Sequence, residues 1–284
     1  MTQGTLTPWL TLRRATPARI SLGRSGNALP TAAQLDFQLA HARARDAVHA
    51  ALDAERIAAE LKALGLEAVR LRSMASDRAA YLRRPDLGRR LQEASRALLI
   101  RHSVGLQPTG LSRGEGRNPG HHRPRRGSPH DIAFVIADGL SATAVNAHAV
   151  PLIAALLELY GANRPAIGPV AVAEGGRVAI GDEIGGLLDA DLVAVLIGER
   201  PGLSAADSLG AYLTWAPAPG AVDAARNCIS NIRPEGMPIA DAAAALVHLI
   251  AGARQHRMTG VGLSQRLANA AITVRSYRLE HEQK

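Results

Sequence analysis

From Ala32 to Leu64 apolar side chains return at helical spacing, through Leu35, Phe37, Leu39, Ala42, Ala47, Val48, Leu52, Ile57, Leu61 and Leu64. Thr31, following Pro30, is the expected N-cap of one long helix, and Gly65 its stop. A second helical stretch is predicted from Ser76 to Ile100, with a break near Pro85. Residues 1–30 read as a tail and an irregular lead-in, interrupted by Pro8, Pro17 and Pro30 and turned by Gly23, Gly26 and Asn27. Residues 31–104 therefore form a helical region.

The period changes after residue 130. Ile132 to Ala137 is a continuous apolar run, suited to a strand buried on both faces, and Asp138-Gly139 ends it. Ser141 then caps a helix to Tyr160, closed by Gly161. Val170 to Ala173 and Leu192 to Ile197 are further strands, with a short helix over Val178 to Leu188 between them. Tyr212 to Trp215 is a candidate strand, and Ile239 to Arg257 an alanine-rich closing helix. This alternation predicts an α/β unit over residues 131–267, built on a mainly parallel, Rossmann-like sheet. Ligands of such sheets bind beyond the C-terminal strand ends, which directs attention to Asp138-Gly139 and Gly198-Glu199-Arg200. Residues 268–284 form a C-terminal tail.

Between the two regions, residues 105–130 mix six glycines and four prolines with Arg113, Arg117, Arg123, Arg125 and Arg126. No core can be built from that composition, so a flexible loop is expected. His121 and His122 lack the second ligand pair that a metal site requires. No metal ligand is assigned in the chain.

Composition narrows the class. Aromatic residues are only 3% of the chain, so the core must rest on Ala, Leu, Val and Ile. The formal charge of +8 invites a polyanion partner, yet Lys62 and Lys284 are the only lysines, and 31 of the 33 basic residues are arginine. So uniform a preference reads as a compositional habit, and an arginine-rich surface facing an acidic partner is the plainer reading than nucleic acid. A lone cysteine, Cys228, excludes an intrachain disulfide and fits a reducing cytoplasm. No stretch is expected to reach the ~20 apolar residues that cross a bilayer.

Nucleotide signatures are missing: no Gly-x-Gly-x-x-Gly follows a strand, and no glycine-rich phosphate loop ends in Gly-Lys-Ser/Thr. Cys228 with a distant histidine could form a nucleophilic pair, but an inert cysteine is the commoner case. Asp182-Glu183 could be an acid/base pair; neighbours on a helix point apart, so a charge effect at the helix start is simpler. His148 and His248 read as half-buried helix histidines. Four clusters exceed what composition explains: Val135–Ser141, Arg177–Glu183, Leu196–Gly202 and Arg226–Ile232. Each places small or amide residues with hydrogen-bonding groups at an element end, as a site for a large, amide-rich ligand would.

Those clusters, with Asp207–Tyr212, Thr16–Ile20, Leu22-Gly23-Arg24, Asp36–Val48 and Gly260-Val261-Gly262-Leu263, resemble the light subunit family of ethanolamine ammonia-lyase over roughly residues 16–265. The resemblance implies an ammonia-lyase subunit in ethanolamine degradation, assembled with a large, TIM-barrel subunit that binds ethanolamine. Adenosylcobalamin would lie between the two, its cobalt–carbon bond breaking to give the 5′-deoxyadenosyl radical. Acetaldehyde and ammonia are the products. By resemblance, cobalamin contacts fall on Val178, Glu199 and Cys228, with no catalytic residue in this chain. Val178 would pack against apolar parts of the cofactor, Glu199 would accept hydrogen bonds, and Cys228 would offer a small, polarizable side chain. No histidine stands in an Asp-x-His-x-x-Gly arrangement, and the family likewise implies that cobalamin keeps its own lower base. A cytoplasmic address is expected, and the resemblance leaves open a bacterial microcompartment, where the N-terminal part of relatives is implicated in encapsulation. A basic module binding RNA or acidic protein, and a hydrolase using Cys228, stand as the alternatives.

Overall fold

The computed structural model describes residues 8–16, 18–105 and 130–269, so most of the predicted 105–130 loop lies outside the described residues. A six-stranded sheet runs in the order β1-β3-β2-β4-β5-β6. Its strands are β1 (Ala68–Arg72), β2 (His130–Ala137), β3 (Val170–Glu174), β4 (Ala190–Gly198), β5 (Leu209–Trp215) and β6 (Arg226–Ile232). The helices are α1 (Pro8–Arg14), α2 (Thr31–His49), α3 (Ala54–Ala63), α4 (Arg78–Arg83), α5 (Glu93–Gly105), α6 (Ala142–Tyr160), α7 (Ile180–Leu187) and α8 (Ile239–His256), followed by a last helix over residues 261–269.

The expectation of a mainly parallel sheet is corrected to a mixed one. β1, β3, β2 and β4 are parallel, whereas β5 and β6 each run antiparallel to their neighbour. The cause is connection length. Only ten residues separate β4 from β5, and ten separate β5 from β6, too few for the helical crossover that parallel pairing needs. β6 was not anticipated, because Arg226-Asn227-Cys228-Ile229-Ser230-Asn231-Ile232 is mostly polar.

Alternation along the central strands explains the continuous apolar runs. Ile132, Phe134 and Ile136 of β2 face a core shared with α3, α6 and α8, while Ala133, Val135 and Ala137 face a second core shared with α5 and α7. Both faces are dry, so no polar residue is tolerated in either register. α7 approaches its face closely through glycine. A Cβ at Gly181 would stand 2.3 Å from Val195 Cγ2, and one at Gly185 would stand 2.6 Å from Pro217 Cγ.

The long helix predicted over Ala32 to Leu64 is two helices. Asn146 on α6 reaches the connector: its Oδ1 accepts from Asp53 N at 3.0 Å and its Nδ2 donates to Ala51 O at 3.0 Å. Asp53 then caps α3 by accepting from Arg56 N, a local side-chain alternative to continuing the first helix. Thr31 is not a cap; it opens α2 behind Pro30, which makes no side-chain cap bond. The second predicted stretch is broken near Pro85 as expected, into α4, a 3-10 turn at Leu87–Arg89 and α5. Between these helices Ala68–Arg72 forms β1, an alternating strand hidden inside a helical reading, which pairs with β3 at the sheet edge.

Residues Ala142–Asn163 are, against expectation, long and apolar enough by composition to cross a bilayer. The physical reason for that composition is burial: α6 packs Val145, Ala149, Leu152, Ile153 and Leu156 into the first core. Gly181→Ala should lower stability by about 1–3 kcal/mol, because the added methyl must displace α7 from β4. Urea denaturation of the two proteins, compared at one pH, measures this.

Candidate functional site

The ends of β2 and β4 meet at two of the motif glycines. A Cβ at Gly139 would lie 2.3 Å from Gly198 O, and one at Gly198 would lie 2.0 Å from Ser141 O. Leu140 N donates to Gly198 O at 2.9 Å. The close backbone approach anticipated for a ligand is thus used by the two strand ends on each other. Asn227 is likewise structural, gripping Gly260 through Oδ1 (2.7 Å from Gly260 N) and Nδ2 (3.2 Å from Gly260 O).

Glu199 and Cys228 come together around a residue that sequence reasoning passed over, Tyr212. Glu199 follows β4, and its Oε2 accepts from Ser208 Oγ at 2.5 Å and from Asn231 N at 3.1 Å. Its other oxygen lies over Gly210, where a Cβ would come within 2.9 Å of Oε1 and 3.0 Å of the Tyr212 ring. Cys228 stands opposite Tyr212 in the β5–β6 register, is exposed, and lies 3.2 Å from Ser230 Oγ through its sulfur. Burial pushes the Tyr212 phenol upward, and its hydrogen bond to Cys228 and the nearby charge of Glu199 push it the same way. Tyr212 is thereby a neutral hydrogen-bonding group across the physiological range.

Val178 sits in the turn between β3 and α7. It is half-buried against the same apolar layer that takes the Tyr212 ring, and Gly181 N donates to its carbonyl at 3.1 Å. Val178 shares that layer with Tyr212, but no bond among the described residues joins it to Glu199 or Cys228.

Asp182 and Glu183 do point apart, but a helix-start effect does not describe them. Asp182 is buried and makes a two-pronged ion pair with Arg226 of β6, at 2.6 and 2.7 Å. Glu183 accepts from Leu91 N at 2.9 Å and pairs with Arg96. His148 is buried, with Nε2 3.6 Å from Asp207, whereas His248 is exposed rather than half-buried. Among the described residues no group of His, Cys, Asp or Glu has a metal-binding arrangement, and His121 and His122 lie outside them. Gly110-Leu111-Ser112-Arg113-Gly114 fits the letters of a hydrolase nucleophile elbow, yet it too falls outside the described residues.

A second polar feature lies at the C-terminal ends of β1, β3 and β2. A cavity of about 340 Å³ is lined there by Arg72, Arg78, Tyr81, Asp138 and Glu174, among others. Asp138 accepts from Gly176 N at 3.1 Å and faces Arg78 at 3.4 Å. Burial raises its carboxyl to about 6, with Arg78 and backbone donors pulling the other way. A raised acid pKa means the folded state holds the proton more tightly, so this group's contribution to stability declines as pH rises from its ordinary 3.8 to about 6. Urea stability of the wild type should therefore lose ground to that of Asp138→Asn as pH rises across that window, whatever the constant offset between the two proteins.

A family model described as "Ethanolamine ammonia-lyase light chain (EutC)" matches residues 6–264. An "Ethanolamine ammonia-lyase small subunit" of Pseudomonas syringae pv. tomato is 52% identical over 256 residues, covering 90% of this chain and 82% of that protein. Proteins with the same description from Azotobacter vinelandii and Bradyrhizobium diazoefficiens are each 50% identical. The first match covers 90% of this chain and 87% of the relative, the second 93% of both.

Proposed function

We propose that this chain, which belongs to the ethanolamine ammonia-lyase light chain family and is a lyase subunit, holds adenosylcobalamin jointly with a large subunit. The observation that carries the reading is the convergence of Glu199 and Cys228 on Tyr212, on a sheet face where Cys228 is exposed. α7 and α5 cover that face over the parallel strands, and the reversal after β4 carries β5 and β6 past them.

The residues present fit an amide-rimmed macrocycle. Oε2 of Glu199 is committed to Ser208 and Asn231, and no donor among the described residues reaches Oε1, which is left to accept from a cofactor amide. Gly210 keeps space for that oxygen and for the Tyr212 ring, and Val178 adds apolar area in the same layer as Tyr212. Cys228 adds a small, polarizable edge. When bound, the cofactor supplies the radical chemistry. This chain's part is to bind and orient it, with its lower base retained, while ethanolamine binds to the TIM-barrel partner and leaves as acetaldehyde and ammonia. On this reading residues 131–267 are the cobalamin-binding unit, the site residues act by position, and none transfers a proton. The assembly is cytoplasmic, and encapsulation in a microcompartment is a matter for the N-terminal segment.

The partner surface has a candidate as well. Trp9 is 62% exposed, Leu35 58% and Leu39 50%, with Phe37 also exposed, so α1 and α2 carry more apolar surface than an isolated chain favours. The large subunit is the occupant proposed for it.

Reconstitution tests the reading. The chain alone should have no lyase activity, and addition of the large subunit should restore adenosylcobalamin-dependent acetaldehyde release. Glu199→Ala should raise the KM for adenosylcobalamin by roughly tenfold, the size of one charge-assisted hydrogen bond. Activity independent of the coenzyme, or a Glu199→Ala enzyme with unchanged KM, counts against the site.

A further inference from the structure

The turn Gly175–Ala179, which carries Val178 and opens α7, is held by the segment 73–90 as well as by its own helix. Tyr81 is buried at 1% exposure, and its hydroxyl donates to Gly176 O at 3.2 Å. Two guanidinium groups lie over its ring, Arg78 at 4.8 Å from the centroid and Arg177 at 4.3 Å. Arg177 N donates to Gly88 O at 2.7 Å, and Arg177 Nη2 donates to Tyr81 O at 3.3 Å. At Gly88 a Cβ would meet Arg177 Cγ at 2.8 Å and Gly175 O at 2.9 Å, so the two segments touch with no room for a methyl group. On the other side Asp138 accepts from Gly176 N.

The same set of contacts reaches outward. Arg78 Nε donates to Val48 O at 2.7 Å, at the end of α2, and Arg78 Nη1 donates to Gly139 O at 2.8 Å. Onward from the turn, α7 carries Asp182, whose ion pair fixes Arg226 two positions before Cys228 on β6. Through α7, the positions of Val178 and Cys228 therefore depend on how the Gly175–Ala179 turn is set.

We propose that Tyr81, packed on the guanidinium groups of Arg78 and Arg177 and closed against Gly88, is a positioning residue for the cofactor site. It fixes the turn that presents Val178, and it links that turn to the end of α2. The proposal rests on the cofactor reading above and adds to it a residue that touches no cofactor. Burial pushes the Tyr81 phenol upward, so it remains a donor to Gly176 at any pH at which the protein is assayed.

Two substitutions disturb the clamp in different ways. Tyr81→Phe removes only the bond to Gly176, whereas Gly88→Ala drives a methyl into Arg177 and the Gly175 carbonyl. In enzyme assembled with the large subunit, at saturating ethanolamine, both should raise the KM for adenosylcobalamin by roughly three- to tenfold, the scale of one displaced hydrogen bond. The kcat at saturating coenzyme should stay within about twofold, because removal of binding common to ground and transition states appears in KM alone. Ile57→Val, in the opposite core, serves as a control that lowers stability and leaves KM unchanged. If Gly88→Ala fails to fold, Tyr81→Phe decides alone. The proposal is overturned if the clamp variants leave KM at the control's value while Val178→Glu raises it. Should Val178→Glu leave KM unchanged as well, the cofactor reading falls and takes this proposal with it.

Discussion

The Asp182–Arg226 ion pair is the interaction on which the architecture of the site depends. Both side chains are nearly inaccessible, at 1% and 3%, so each has lost its water and must recover the cost from partners. Arg226 does so with both carboxylate oxygens, with Thr214 Oγ1 at 2.9 Å and with Ala221 O at 3.0 Å. The pair joins α7, which packs on the parallel strands, to β6, the antiparallel edge. Among the described residues it is the polar link between α7 and the reversing half of the sheet. Its geometric demand also explains the glycines of α7, since Asp182 reaches β6 only if the helix lies close on Val195 and Pro217.

Legibility in the sequence followed chemistry that is local. β2, β4, α6 and α8 were readable because a run buried on both faces, or a capped apolar helix, needs no knowledge of distant residues. The Ala32–Leu64 pattern misled because its period continues through the break; what divides it is Asn146, nearly a hundred positions later. β1 and β6 were obscured by charge and polarity. Arg70 and Arg72 face outward to Glu55 and Glu174 from an edge strand, and Arg226 is polar yet buried because its carboxylate comes from another element. Of the site, the positions of Glu199, Cys228 and Val178 came from resemblance, with hydrogen-bonding motifs at element ends as the only independent sign. Tyr212 carried a weaker signal still: an aromatic residue in a candidate strand, whose neighbours only the antiparallel register reveals.

Arginine richness takes on a different meaning once partners are visible. Arg56 pairs with Glu60, Arg84 with Asp86, Arg233 with Asp207 and Glu235, and Arg254 with Asp131, at points scattered over the chain. Arg78 and Arg177 are spent on an aromatic ring inside the fold. These are uses for which a planar, forked cation is suited and lysine is not. A polyanion-binding face would instead gather its cations on one side and leave them free. Several of the described arginines tie one element to another, as Arg226 ties β6 to α7 and Arg254 ties α8 to β2, and in a core with few aromatic anchors that role is needed. Where side-chain volume is small, orientation between layers must come from directional bonds. The guanidinium groups supply that orientation where the Gly175–Ala179 turn and β6 meet the rest of the protein.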